Sequence, residues 1–418
     1  MSAALAPLRL RDFRWLLAAR TTGAFGNAFA PIALAFAVLD LTGSARDLGL
    51  VVGARTLANV LLLLFGGVLA DRLPRGLLLV GASVAAAGTQ AAVAALVLTG
   101  AATVPVLIVL AVLNGMVAAV SQPASAALMP LIVGAEIRQQ ANGLTRMAHN
   151  GAMIIGASAG GALVALIGPG WGIAVDAGTF ALSALFFAVL RLPTRPPAGP
   201  GTARPGVLSD LRTGWTEFRS RTWLWVVVAG FCLANMAWAG AMNVLGPVVA
   251  DDTVGRQAWG LVLAAQTAGM VAGAVVVLRL RVRRLLGYGV VCCLFWGLPV
   301  LALGVLPQLP VLIAAAFLSG LAIEQFGIAW ETSMQEHVPA DRLARVYSYD
   351  MLGSYLGMPI GQIAIGPIGE AAGAGPALIG ASAVMFVAAV GMLSSSSVRT
   401  LRHQLPEDSA GPMKESVS

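Results

Sequence analysis

Charge is what this sequence most conspicuously lacks. Only 11% of its 418 residues are Asp, Glu, Lys or Arg, while 58% are hydrophobic. A water-soluble chain of this length carries roughly a quarter charged residues, enough to cover its surface. Disorder is excluded from the other side, because the apolar content is too high despite 49 glycines. The solvent for most of this chain is therefore lipid.

Other absences narrow the function. Cys232, Cys292 and Cys293 lie inside apolar runs with no CxxC pairing or Cys/His ligand spacing, so they read as small packing residues. No metal cluster, cofactor motif or nucleophile–base spacing is present, which argues against an enzyme and leaves the catalytic, metal and cofactor sets empty. "GASAGG" (156–161) sits inside an apolar run without a preceding strand or a lysine, so a nucleotide-driven machine is not expected. The net charge of +7 is not a nucleic-acid signal, since the bases fall in short gaps and form no stripe. The first apolar run, about Trp15 to Leu39, is too long for a cleavable leader and has no small-residue cleavage site.

What is present is a series of long apolar runs. A bilayer core of roughly 30 Å needs about 20 apolar residues in a helix. Runs of that kind fall at 13–40, 47–70, 76–99, 104–130, 140–168 and 171–192, then at 223–250, 257–280, 286–306, 309–333, 343–369 and 374–395. The basic residues alternate between gaps. Arg9, Arg11, Arg14, Arg72, Arg75, Arg138, Arg279, Arg281, Arg283, Arg284, Arg342, Arg345, Arg399, Arg402 and Lys414 all fall on one side, together with the arginines of the central linker. The other side holds only Arg46 and Arg256, beside Asp47, Asp251 and Asp252. The positive-inside rule then places both termini and the linker in the cytoplasm of a multi-pass cell-membrane protein.

The expected fold is all-α and integral to the membrane: 12 transmembrane helices in two pseudo-symmetric six-helix bundles. The divisions are 1–192, a cytoplasmic linker 193–222, 223–395, and a tail 396–418. The linker opens with the Pro/Gly-rich "RLPTRPPAGPGTARPG" (191–206). Leu208, Leu211, Trp215 and Phe218 follow on one helical face, which reads either as a short amphipathic helix on the inner leaflet or as plain linker. The halves also repeat. Val133, Ala135, Glu136 and Gly156 match Val338, Ala340, Asp341 and Gly361 at a separation of 205, and Gly67 and Arg75 match Gly273 and Arg281 at 206. A six-helix unit repeated about an axis along the membrane normal is the pattern of one large transporter class.

The stretch "FGGVLADRLPRG" (65–76) carries the closest resemblance. Gly67, Asp71, Arg72 and Arg75 are similar to the signature of the major facilitator superfamily between its second and third helices, and the chain resembles that superfamily throughout. Pro74 and Gly76 depart from its usual glycine and second base. The resemblance implies a cytoplasmic gate: the Asp71 carboxylate meets the amide end of the eleventh helix, near "DRLARVYS", and latches that side. The bland alternative, that the arginines merely obey the positive-inside rule, leaves Asp71 unexplained. "SQPASAALMP" (121–130), "ANGL" (141–144), "VDAGTF" (175–180) and "GMPIGQIAIGPIG" (357–369) resemble the drug and macrolide efflux branch that includes siderophore exporters. The branch's fifth-helix Gly-Pro is Gly156-Ala157 here. No base stands in "VLNGMVAAV" (112–120), and Asn27 occupies the position where related exporters often carry an acid.

Ionisable groups inside membrane spans are costly and point to function. Glu324, His149, Asp176, Arg55 and Arg20 all fall within the runs and are the proton-coupling candidates. Glu324 stands about 20 Å from the outer end of its helix. It is either a proton carrier or an acid held by an arginine for packing. His149 and Asp176 each have a structural alternative, and Arg20 and Arg55 read as counter-charges to the acids. By the resemblance, Asn27, Gln122, Asn235, Trp238, Asn243, Gln325 and Trp330 line a central cavity, and Pro31, Pro123, Pro247 and Pro359 bend their helices.

The expected function is secondary active transport: proton-coupled efflux of amphipathic, drug-like molecules by alternating access. The partners are the lipid bilayer, a small molecule and protons, with no nucleic acid, and the protein is expected to be a monomer. Alternatives are an importer or exporter of a specific metabolite or siderophore, and a membrane sensor that binds without moving its ligand.

Overall fold

The structure, a computed structural model, describes residues 3–72, 75–126, 128–190, 215–277, 279 and 282–403, with side chains at 63–75 and a few other positions left aside. Among the described residues every regular element is a helix. The longer ones are α1 (Arg11–Thr42), α2 (Ala45–Arg72), α3 (Arg75–Leu98), α4 (Val104–Ala126), α5 (Arg138–Ile167) and α6 (Pro169–Ala188). After the linker come α7 (Thr222–Gly240), α8 (Gly246–Asp252), α9 (Arg256–Val277), α10 (Leu285–Cys292), α11 (Leu298–Val305), α12 (Leu309–His337), α13 (Ala340–Tyr355), α14 (Gly357–Ala372) and α15 (Ala374–Ser394).

Prolines explain three breaks in this series. A proline has no N–H for the carbonyl four residues earlier, so the helix loosens there. Pro247 stands four after Asn243, at the centre of a π-turn (Ala241–Leu245) that joins α7 to α8. Pro299 stands four after Phe295, where a 3-10 turn (Cys293–Phe295) precedes α11. Pro359 stands four after Tyr355, the last residue of α13; Leu356 keeps helical angles, so α14 continues the same path. Pro247 and Pro359 are among the prolines expected to bend their helices; Pro299 is a further one. α1 runs unbroken past Pro31.

Ten helices, counted across two of these breaks, are long and apolar enough to cross a membrane among the described residues. The two remaining expected crossings, 47–70 and 343–369, correspond to α2, whose described side chains stop at residue 62, and to the divided pair α13–α14.

The packing repeats. α1 packs on α5 as α7 packs on α14; α2 on α4 as α9 on α12; α3 on α6 as α11 on α15. Helices before and after the linker meet chiefly through two pairs, α5 with α9 and α2 with α14. Small residues make these contacts close. A β-carbon on Gly260 of α9 would stand 3.0 Å from the Cα of Gly161 in α5. The repeat-related glycines do the same work: one on Gly156 would come within 2.7 Å of the Phe25 carbonyl in α1, and one on Gly361 would fall on the Met236 carbonyl in α7. The turns far from the termini are tight. Gly43, in the left-handed region at φ 63°, ends α1 by returning its N–H to the Leu39 carbonyl.

The described end of the linker packs on the second half. Residues 215–220 are helical, but Trp215 and Phe218 stack on each other at 5.8 Å and pack against Tyr349 of α13 at 5.6 and 5.9 Å. Glu217 accepts from Arg221 (2.7 Å) and from Arg342 of α13 (2.6 Å), and these guanidiniums, Arg221 foremost, hold its carboxyl below the usual carboxylate range. Aromatic and ionic partners on α13 thus hold this segment, while Trp215 keeps about half its surface exposed (49%). Residues 208–214 of the expected helix lie outside the described ones.

Candidate functional site

The first half buries a network of polar groups that no single helix explains. Arg55 of α2 donates from Nε to Asn114 Oδ1 at 2.9 Å, and Asn114 passes a bond from Nδ2 to Thr89 Oγ1 of α3 at 3.1 Å. Asp176 of α6 is fully buried and accepts from Gln90 Nε2 and, at 3.5 Å, from Thr179 Oγ1. Arg55 attracts Asp176 across a small cavity of about 90 Å³ that both line with Asn27, Gln90 and Asn114. Gly26 makes room for this carboxylate, since a β-carbon there would fall on Asp176 Oδ1 and Thr179 Oγ1. Arg55 and Asp176 thus share one small cavity without a direct ion pair among the described contacts. Sequence reading missed Thr89, Gln90, Asn114 and Thr179, because uncharged polar residues are common in membrane helices and carried no distinguishing signal.

This network opens onto the centre of the molecule. Asn27, Arg55, Asn114 and Phe180 also line a cavity of about 600 Å³, which reaches His149 of α5 and Met351, Tyr355 and Met358 of the second half. Met351 and Tyr355 in turn line a further cavity of about 310 Å³, walled by Asn235, Glu324, Trp330 and Asp350. Each space shares lining residues with the next, and together they make up a central region faced by both halves.

Glu324 of α12 is buried at the edge of this region and takes a 2.5 Å ion pair from Arg146 Nη2 of α5. The two readings of Glu324 meet here: it is held by an arginine, and that arginine belongs to the other half. Arg146 itself is 61% exposed. Among the described residues the partner of Arg20 is Ser125, where the sequence suggested an acid. Its Nε donates to Ser125 Oγ at 3.1 Å and its Nη2 to the Ser125 carbonyl, anchoring α1 to the end of α4.

Other predicted residues divide. Asn235 donates to the Ser354 carbonyl at 3.0 Å, and Trp330 Nε1 to Asp350 Oδ2 at 3.0 Å, both beside the 310 Å³ cavity. Gln325 turns the other way, donating to the Gly273 carbonyl at 2.6 Å and accepting from the Tyr288 hydroxyl at 3.3 Å. Successive helical residues point about 100° apart, so the face that gives Glu324 to the cavity takes Gln325 from it. Trp238 stacks on Trp296 at 5.4 Å and Asn243 sits in the π-turn; neither lines the three spaces. The side chains of Gln122, Asp71, Arg72 and Arg75, and the surroundings of Gly67, lie outside the described ones. The backbone places the last four where α2 gives way to α3.

The end remote from the termini is closed. Arg256 of α9 meets Asp40 of α1 at 2.9 and 2.5 Å and Asp251 at 2.8 Å. Glu370 of α14 accepts from Ser44 Oγ at 3.0 Å and from the Arg46 N–H at 3.2 Å.

Apolar helices of membrane length, packed in repeating pairs around an internal space, define an integral membrane protein. A family model described as the Major Facilitator Superfamily matches residues 16–361. The chain belongs to that superfamily of membrane transporters. It is 29% identical over 371 residues to the multidrug efflux pump Tap of Mycolicibacterium fortuitum, covering 86% of this chain and 89% of that one. The fold is similar to that of the nucleoside transporter NupG (TM-score 0.71, 14% identity, 92% and 99% of the two chains). It is also similar to an inward-facing, unoccupied bacterial homolog of the human lysosomal transporter Spinster (TM-score 0.73, 16% identity, 94% and 98%).

Proposed function

We propose that this protein exports amphipathic small molecules across the cell membrane in exchange for protons. Two six-helix bundles, 1–192 and 223–395, rock about the central space, with both termini in the cytoplasm. The observation that carries the reading is the Arg146–Glu324 pair, which ties a helix of one half to a helix of the other beside the cavity. A proton on Glu324 removes the charge that holds Arg146, so proton uptake and separation of the halves become one event. The likeness to the efflux pump Tap supports the direction of transport. The Gly67–Asp71–Arg72–Arg75 cluster serves, in this reading, as the latch on the cytoplasmic side in the alternate state.

The test is flux in proteoliposomes holding the full-length chain. A fluorescent amphipathic dye should leave the lumen corresponding to the cytoplasm when a pH step is imposed, and should stop when the step is collapsed. Glu324→Gln should abolish the response to the pH step while dye binding persists. Identical pH-driven flux in that variant removes Glu324 from the mechanism, and flux only in the opposite direction removes export.

A further inference from the structure

The ionisable groups that line the two larger cavities differ in sign. Of the described Asp, Glu, Lys, Arg and His side chains, the 600 Å³ cavity is lined by Arg55 and His149. The 310 Å³ cavity has two, Glu324 and Asp350. Glu324 is taken by Arg146. Asp350 is not: it accepts from Trp330 Nε1 at 3.0 Å and Ser354 Oγ at 3.2 Å, and no base pairs with it among the described residues. Around it stands an aromatic wall, with Phe231 stacked on Phe326 at 4.2 Å and on Trp296 at 5.4 Å, and Phe326 on Trp330 at 6.0 Å. An acid that no base pairs with, set beside aromatic faces, is a site for a cation carried on a flat apolar body, and the arriving positive charge favours its carboxylate form.

Arg55 supplies the opposite pole. Among the described residues its one hydrogen bond is the Nε–H to Asn114, so the two Nη groups are available to an oxyanion, and two parallel N–H groups suit a carboxylate. Asp176 offsets the guanidinium charge from the small cavity but does not line the 600 Å³ cavity. The combined space lies in the range that encloses a drug-sized molecule. A ligand with a single charge satisfies one pole and strips water from the other without replacing it.

We infer that the central region binds an amphoteric aromatic molecule, its acid against Arg55 and its amine against Asp350. This rests on the transport reading, in that the central region is taken as the substrate space.

Three probes share one skeleton: norfloxacin, which carries both charges, its methyl ester, which keeps only the amine, and its N-acetyl derivative, which keeps only the acid. Equilibrium dialysis against the full-length chain in nanodiscs should give norfloxacin about tenfold tighter binding than either analogue. Arg55→Gln should bring norfloxacin and its ester level, while Arg55→Lys keeps part of the preference. Asp350→Asn should bring norfloxacin and the N-acetyl compound level. Wild-type affinities within about threefold of one another, or absence of binding by all three, overturn the inference even if Arg55→Gln fails to fold. Variants that weaken all three compounds equally overturn it too. Dye efflux without charge preference leaves the transport reading standing and removes this one; charge preference without flux does the reverse.

Discussion

Arg256 of α9 grips Asp40 at the end of α1 with both terminal nitrogens, at 2.9 and 2.5 Å, and keeps Asp251 of α8 on its Nε. The contact joins the two halves at the end remote from the termini, where Glu370 also holds Ser44 and the Arg46 amide. These side chains are partly exposed, so each pair contributes modestly, on the order of 1 kcal/mol or less. An equilibrium between two states of similar energy is nevertheless sensitive to that amount.

Asp40→Asn should therefore open this end more often, by a factor of about five, without unfolding the protein. The readout is the rate at which a maleimide labels a cysteine placed at Ala45, in a background without the native cysteines. Ala45 is buried, and its carbonyl lies 2.6 Å from where a β-carbon on Gly366 would stand, so labelling reports separation of α2 from α14. An unchanged labelling rate would show that glycine packing alone keeps this end shut.

Gly361→Ala should be among the most damaging small substitutions in the chain. Its added carbon would fall on the Met236 carbonyl, which is backbone and cannot swing aside. Overpacking of this kind costs about 1–3 kcal/mol, and the thermal midpoint in detergent should fall accordingly. Gly156→Ala, at the repeat-related position, meets Phe25 O at 2.7 Å and should be milder. Gly380→Ala, with nothing within 4 Å, is the neutral control. Equal midpoints for all three would contradict the close approach of α14 to α7.

Acid should loosen the linker from α13. Glu217 lies outside the spans, and Arg221 with Arg342 lowers its carboxyl below the ordinary value of 4.5. A depressed folded value means the contact stabilises fully above the unfolded value and is lost as pH falls through the folded one. The thermal midpoint of the wild type should exceed that of Glu217→Gln at pH 7. The gap should narrow as pH falls below that ordinary value of 4.5 and then close. A gap that stays constant down to pH 3 would mean that Glu217 does not hold the segment electrostatically.

Much of the architecture was legible before any coordinates. Apolar runs matched helices, basic gaps alternated, and the 205-residue repeat reappears as α1 on α5 and α7 on α14. The prolines were half legible: a proline is visible in a sequence, but Pro299 lies in an apolar run that looked continuous. The candidate site was legible as single residues and not as pairs. Arg20 was expected to meet an acid and holds Ser125; Gln325 was expected in the cavity and faces Gly273.

By itself the sequence determined that this protein lives in lipid as a helical repeat, because hydropathy, charge bias and helix length are summed over neighbouring residues. Only the tertiary structure decided that Glu324 meets Arg146 across 178 residues, that Arg55 and Asp176 line one small cavity, and that Asp350 stands among aromatic rings with no base among the described residues. Those pairings depend on the rotation of each helix about its own axis. A turn of about 100° separates adjacent residues, and only packing against other helices chooses which of them sees the cavity.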